Sequence, residues 1–225
     1  MRPYPRPNTS LLKAVQSPPV RFMPVVHLLG GDSLGLVADE PVEFEERAVF
    51  GRVTEETQNA AKWMAMRLER VASAACAQEQ FPRPILVTAP IAALADPNTA
   101  VACDGAVRRT ILCQQEFCLM FPDAALAGDP ADVTTRLARL RKAGFRVGID
   151  MRHSWQTALS ESVRILIDTI RVDADAVEAS QDLCDVTATA HASGILVVAD
   201  HANWRDGDNL SDYGVAGAVA PMADA

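Results

Sequence analysis

Short aliphatic runs recur along this chain, and a stretch with helical spacing separates each from the next. Ile85 to Val87, Phe117 to Phe121, Arg146 to Ile149, Thr169 to Val172, Ile195 to Val198 and Ala216 to Val219 read as strands. Between them lie helical stretches at 97–109, from a cap at Asp132 to a stop at Gly144, and at 156–164, 176–193 and 205–212. Strands alternating with helices of about 10–15 residues imply right-handed βαβ units and a mostly parallel sheet. Ahead of this series, Arg21 to Leu28 reads as a strand, Gly30-Gly31-Asp32 as a turn, and Leu34 to Val37 as a strand pairing back. A long amphipathic helix then starts at Thr54, which caps it, with Glu55 and Glu56 placed well against the dipole. Trp63, Met64, Leu68, Val71 and Ala72 recur on one face of that helix as core, and Pro82 and Pro84 stop it. About eight strands is the number that closes a barrel. A doubly wound open sheet fits the same alternation.

Composition narrows what such a domain does. A formal charge of −8 over 225 residues argues against nucleic-acid binding and against an anionic membrane surface. The aliphatic runs fall far short of the ~20 residues a membrane helix needs. The opening MRPYPRPNTS lacks the apolar core of a signal peptide, so a cytoplasmic protein is expected. Cys76, Cys103, Cys113, Cys118 and Cys184 show no metal-ligand spacing and read as free thiols in a reducing compartment. Residues 1–19, rich in proline and basic, read as an extended arm ahead of one domain at 20–225, and the acidic Glu40 to Arg47 as a solvated loop.

Met23-Pro24-Val25-Val26, Leu86-Val87-Thr88-Ala89-Pro90, Asp168-Thr169-Ile170-Arg171-Val172-Asp173 and Val197-Val198-Ala199-Asp200 follow one another in an order that resembles the EAL family of bacterial signalling domains. Met23-Pro24-Val25-Val26 with Leu34-Gly35 is similar to the family's opening strand and turn, and Leu86-Val87-Thr88-Ala89-Pro90 with Asp96-Pro97 to its next motif. The run Leu137 to Asp150, the segment Asp168-Thr169-Ile170-Arg171-Val172-Asp173 and the strand end Val197-Val198-Ala199-Asp200 continue the match, which spans about residues 21–222. The resemblance implies an α/β fold: a modified TIM-type (β/α)8 barrel with an antiparallel first strand. Active members hydrolyse cyclic di-GMP with two Mg²⁺ or Mn²⁺ ions, whose carboxylate ligands sit at the C-terminal ends of the strands.

Carried over position by position, the resemblance puts the wrong chemistry at that rim. Val37 stands where the family's naming glutamate belongs, Thr88 for a metal-binding asparagine, and Met120 for a second glutamate. The paired aspartates become Asp150-Met151, the water-positioning lysine becomes Arg171, and the last motif keeps Asp200 but has Asn203 for its other acid. Valine and methionine offer no hard oxygen donor, and arginine stays protonated. Loss of Mg²⁺ or Mn²⁺ binding and of phosphodiesterase activity is therefore expected, with Asp150 and Asp200 as remnants.

Three functional classes remain open at this point. A regulatory module acting through an unidentified protein partner would use the arm or Trp155 and Trp204 as aromatic anchors, unless these rings plug the emptied site. A homodimer suits the same reading. A non-hydrolysing cyclic di-GMP sensor would grip phosphates with Arg152, Arg171 and Arg205 and stack guanine on the tryptophans. An enzyme rebuilt around one metal would draw on Asp150, His153, Asp200 and His201. His27 and His191 read as ordinary histidines. The regulatory module in bacterial motility, attachment or cell-cycle signalling is the expected function.

Overall fold

The computed structural model describes residues 20–39, 59–202 and 207–220. Eight strands close into a barrel in chain order: β1 (Arg21–His27), β2 (Ser33–Asp39), β3 (Ile85–Thr88), β4 (Phe117–Pro122), β5 (Arg146–Asp150), β6 (Thr169–Asp173), β7 (Leu196–Asp200) and β8 (Gly217–Val219). β1 runs antiparallel to both of its neighbours, β2 and β8, and every other pairing is parallel. The open doubly wound sheet is thereby excluded. The β1–β2 turn closes with the His27 amide donating to the Asp32 carbonyl at 2.8 Å. Where β2 meets β3, only glycine fits: a Cβ on Gly35 would lie 2.5 Å from the Pro84 carbonyl oxygen.

Side chains alternate between the two faces of the closed sheet. One set (Val25, Val37, Leu86, Cys118, Met120, Val198 and Val219) forms a small cluster filling the barrel. At Gly148 a Cβ would run into the Met120 sulfur, so the glycine makes room for that methionine inside. The alternate set, including Leu36, Val87, Phe117, Phe121, Val147, Ile170 and Val197, belongs to the larger core shared with the helices.

Around the barrel lie α1 (Ala60–Ala77), α2 (Ile91–Ala95), α3 (Thr99–Val107), α4 (Pro130–Lys142), α5 (Glu161–Arg164), α6 (Ala174–Ala179), α7 (Gln181–Ala192) and α8 (Gly207–Asp212). Several boundaries differ from expectation. α1 begins at Ala60, where the Asn59 side chain accepts from the Lys62 amide, while Thr54 lies outside the described residues. The helix expected at 97–109 is α3, Thr99–Val107, and α2 at Ile91–Ala95 is a separate turn of helix ahead of it, because Pro97 holds Asp96 extended between them. Asp129 caps α4 with Pro130 in the first turn, and Asp132 sits inside that turn. The stretch 156–164 is helical only at Glu161–Arg164. An extended Ser180 divides 176–193 into α6 and α7. The arm at 1–19 and the stretch Glu40 to Arg47 lie outside the described residues. Among the described residues no helix is long and apolar enough to cross a membrane.

Candidate functional site

Strand alternation delivers a charged cluster to one end of this barrel. Asp150, Asp173 and Asp200 are the last residues of β5, β6 and β7. Arg171 lies two residues before Asp173, on the same face of β6. The register sets Asp150 beside Arg171 and Asp173 beside Asp200.

Two guanidiniums bind the first and last of these carboxylates together. Arg171 donates from Nε to Asp200 Oδ1 and from Nη2 to Asp200 Oδ2, both at 2.7 Å. Arg152 donates to Asp150 Oδ1 from Nε at 3.0 Å and to Oδ2 from Nη2 at 2.7 Å, and reaches across to Asp200 Oδ2 from Nη1 at 3.0 Å. The Arg152 amide also donates to Asp150 Oδ1 at 3.1 Å. Bidentate pairs of this kind are among the stronger hydrogen bonds in proteins. Two positive and two negative groups thus form a neutral chain, Asp150–Arg152–Asp200–Arg171. Burial works against ionisation of Asp150, but the hydrogen bonds and charge of Arg152, with the charge of Arg171, outweigh it and hold the carboxyl below its usual range.

The loop after β5 places Arg152. Its anchor is Asp123, 2% exposed, whose Oδ2 accepts from Ser154 Oγ and from the Gln156 amide, each at 3.0 Å. This tie turns Trp155 onto the outer core between barrel and helices, so the ring neither plugs the mouth nor lines it. Met151 is likewise buried in that outer core.

Of the four residues that a rebuilt one-metal site would draw on, Asp150 and Asp200 meet through Arg152, and the two histidines do not join them. His153 is exposed. His201, with a backbone φ of +57°, sets Nδ1 2.8 Å from Asp173 Oδ2, while the Asp173 Oδ1 accepts from the Ala176 amide at the start of α6. Among the described residues no three His, Cys, Asp or Glu side chains are grouped to hold a metal ion.

Above the charged chain opens a cleft of about 540 Å³. Met23, Val37 and Val219 form its apolar wall, opposite Arg152, Arg171 and Asp200. Val37 and Met120 belong to the cluster inside the barrel, and Thr88 is buried beside Met120 in the register. Asn203, Trp204 and Arg205 lie outside the described residues.

Sequence reasoning missed Asp173 and Asp123 as parts of the site. Asp173 carried a signal, since it ends a strand as Asp150 and Asp200 do. Asp123 carried none, because its partners lie more than thirty positions along the chain.

No protein-family model matches this chain, and no curated protein matches its sequence. Solved structures do match. The EAL domain of Mycobacterium smegmatis DcpA aligns with a TM-score of 0.67 and 16% identity, covering 89% of this chain and 88% of that one. PaMucR phosphodiesterase in complex with cyclic di-GMP aligns with 0.67 and 15%, covering 89% and 87%. Klebsiella pneumoniae BlrP1 in complex with manganese and cyclic di-GMP gives 0.70 and 16%, covering 91% of this chain and 55% of that one, so this chain spans about half of BlrP1. At such identities the likeness shows the fold: an EAL-type barrel with its antiparallel first strand.

Proposed function

We propose that this EAL-type barrel does not hydrolyse cyclic di-GMP and instead works as a cytoplasmic regulatory module that binds a protein partner in bacterial signalling. The observation that carries the reading is the use made of the strand-end carboxylates. Two adjacent divalent cations need several oxygen donors converging on one point. Here the oxygens of Asp150 and Asp200 already accept guanidinium N–H groups at 2.7–3.0 Å. Val37 and Met120, which face the same interior, offer no hard donor. The residues present do not fit a pair of metal ions. A barrel without chemistry of its own has binding as its remaining use, and partner, dimer state and pathway follow from that binding. The test is incubation of the purified protein with cyclic di-GMP and Mg²⁺ or Mn²⁺, and intact nucleotide is the expected outcome.

A second reading is favoured by the cleft itself. Its volume of about 540 Å³ and its arginine wall suit a non-hydrolysing sensor of cyclic di-GMP. Phosphates would then have to draw Arg152 and Arg171 away from carboxylates that already satisfy them, which weakens the grip. Calorimetric titration of cyclic di-GMP, with and without metal, separates the two readings. Saturable heat at micromolar concentrations supports the sensor, and its absence supports the protein-binding module.

A further inference from the structure

We infer that the groove between α3 and α4, on the outer wall of the barrel, docks an acidic amphipathic peptide segment of a partner protein. The inference rests on the protein-binding reading above and names the surface and the chemistry that reading requires. The groove holds about 360 Å³. That is room for a few side chains and not for a globular face, which selects a peptide segment over a second copy of the chain.

Its lining combines apolar surface with cations. Pro97, Ala100, Val101 and Ala143 supply the apolar part, and Arg108, Arg139 and Lys142 the basic part. Val101 is 76% exposed, so its side chain is available to an apolar group seated between the cations. Among the described residues Asp104 is the one carboxylate lining the groove, and it is occupied: its Oδ2 accepts from Arg108 Nε at 2.8 Å and its Oδ1 from Gln114 Nε2 at 2.6 Å. Arg139 and Lys142 have no side-chain hydrogen bond or ion pair among the described residues. Arg136 lines the adjoining recess with Arg139, so 136, 139 and 142 present one basic face of α4 at helical spacing.

The chain as a whole carries −8, so an unneutralised basic groove stands out against its own surface. Charge complementarity then specifies the occupant. Carboxylates of the partner segment pair with Arg139 and Lys142, and an apolar side chain between them covers Val101.

The test uses the full chain and a short fluorescein-labelled peptide that repeats glutamate and leucine with helical spacing, read by fluorescence anisotropy. The expected result is saturable binding that weakens with added salt and falls about tenfold in the double variant R139E/K142E, since two favourable ion pairs become repulsive. Val101→Asp weakens it independently at an unchanged melting temperature, whereas R139E/K142E melts slightly lower because both cations lie in the last turn of α4, where the helix dipole favours positive charge, and both variants stay folded at the assay temperature. Binding unchanged by either variant overturns the inference. So does equal affinity for a peptide with leucine replaced by serine, tighter binding of phosphatidylserine vesicles, or self-association of the chain that R139E/K142E abolishes. A hydrolysis assay on the same preparation keeps the two claims apart: breakdown of cyclic di-GMP contradicts the silent barrel and leaves the groove standing, whereas variant-insensitive peptide binding removes the groove alone.

Discussion

Arg171 and Asp200, on neighbouring strands, meet side by side, Nε to Oδ1 and Nη2 to Oδ2, at 2.7 Å each. Their side chains are 4% and 9% exposed, so both charges have left water and depend on one another. Arg152 joins from the loop after β5 and carries the pairing on to Asp150. The rim of the barrel is thus held by protein groups that satisfy one another's charge.

Asp200→Ala removes the carboxylate shared by both guanidiniums and leaves Arg171 buried without its partner. Loss of one member of a buried pair costs about 3–5 kcal/mol. Urea denaturation of the variant shows an unfolding free energy lower by that amount, with a correspondingly lower midpoint, and the double variant Asp200→Ala/Arg171→Met recovers most of it. Arg171→Lys keeps the charge but loses the two-pronged geometry, and falls between the wild type and Asp200→Ala.

Acid weakens the cluster in a defined direction. The folded carboxyl of Asp150 lies below its unfolded value because Arg152 and Arg171 favour the ionised form over the penalty of burial. Its contribution is complete above the unfolded value of about 3.9 and is lost as pH falls through the folded value. Thermal melts from neutral pH downward show the wild type losing stability below about pH 4. In Asp150→Asn this component of the slope is absent.

Burial silences two thiols. Cys103 and Cys118 are fully buried, and burial pushes both thiols up to about 12. Thiolate is the reactive form. Iodoacetamide treatment of the native protein at mildly alkaline pH, followed by peptide mass spectrometry, labels the half-buried Cys76 and Cys113 first. Cys103 and Cys118 label only after denaturant is added.

The strands were legible because they do not depend on periodicity. β4, Phe117–Pro122, is an unbroken apolar run with no exposed residue, as a barrel strand covered on both faces must be. Helix ends were less legible, since two aspartates compete to cap α4 and only the proline after Asp129 decides between them. Within the site, Asp150 and Asp200 were readable as carboxylates ending strands. The role of Arg152 was not, because it depends on a loop anchored to Asp123, a contact across thirty-one positions that leaves no local pattern. The exposed position of Trp155 was expected from its loop, and the same anchor turns the ring onto the core.

One measurement decides directly whether the barrel carries phosphodiesterase chemistry. Purified protein is incubated with cyclic di-GMP and saturating Mg²⁺ or Mn²⁺, and the products are separated by chromatography. Intact cyclic nucleotide is expected, the same as in a metal-free control. Metal-dependent appearance of the linear dinucleotide, abolished by the double variant Asp150→Asn/Asp200→Asn, would contradict it.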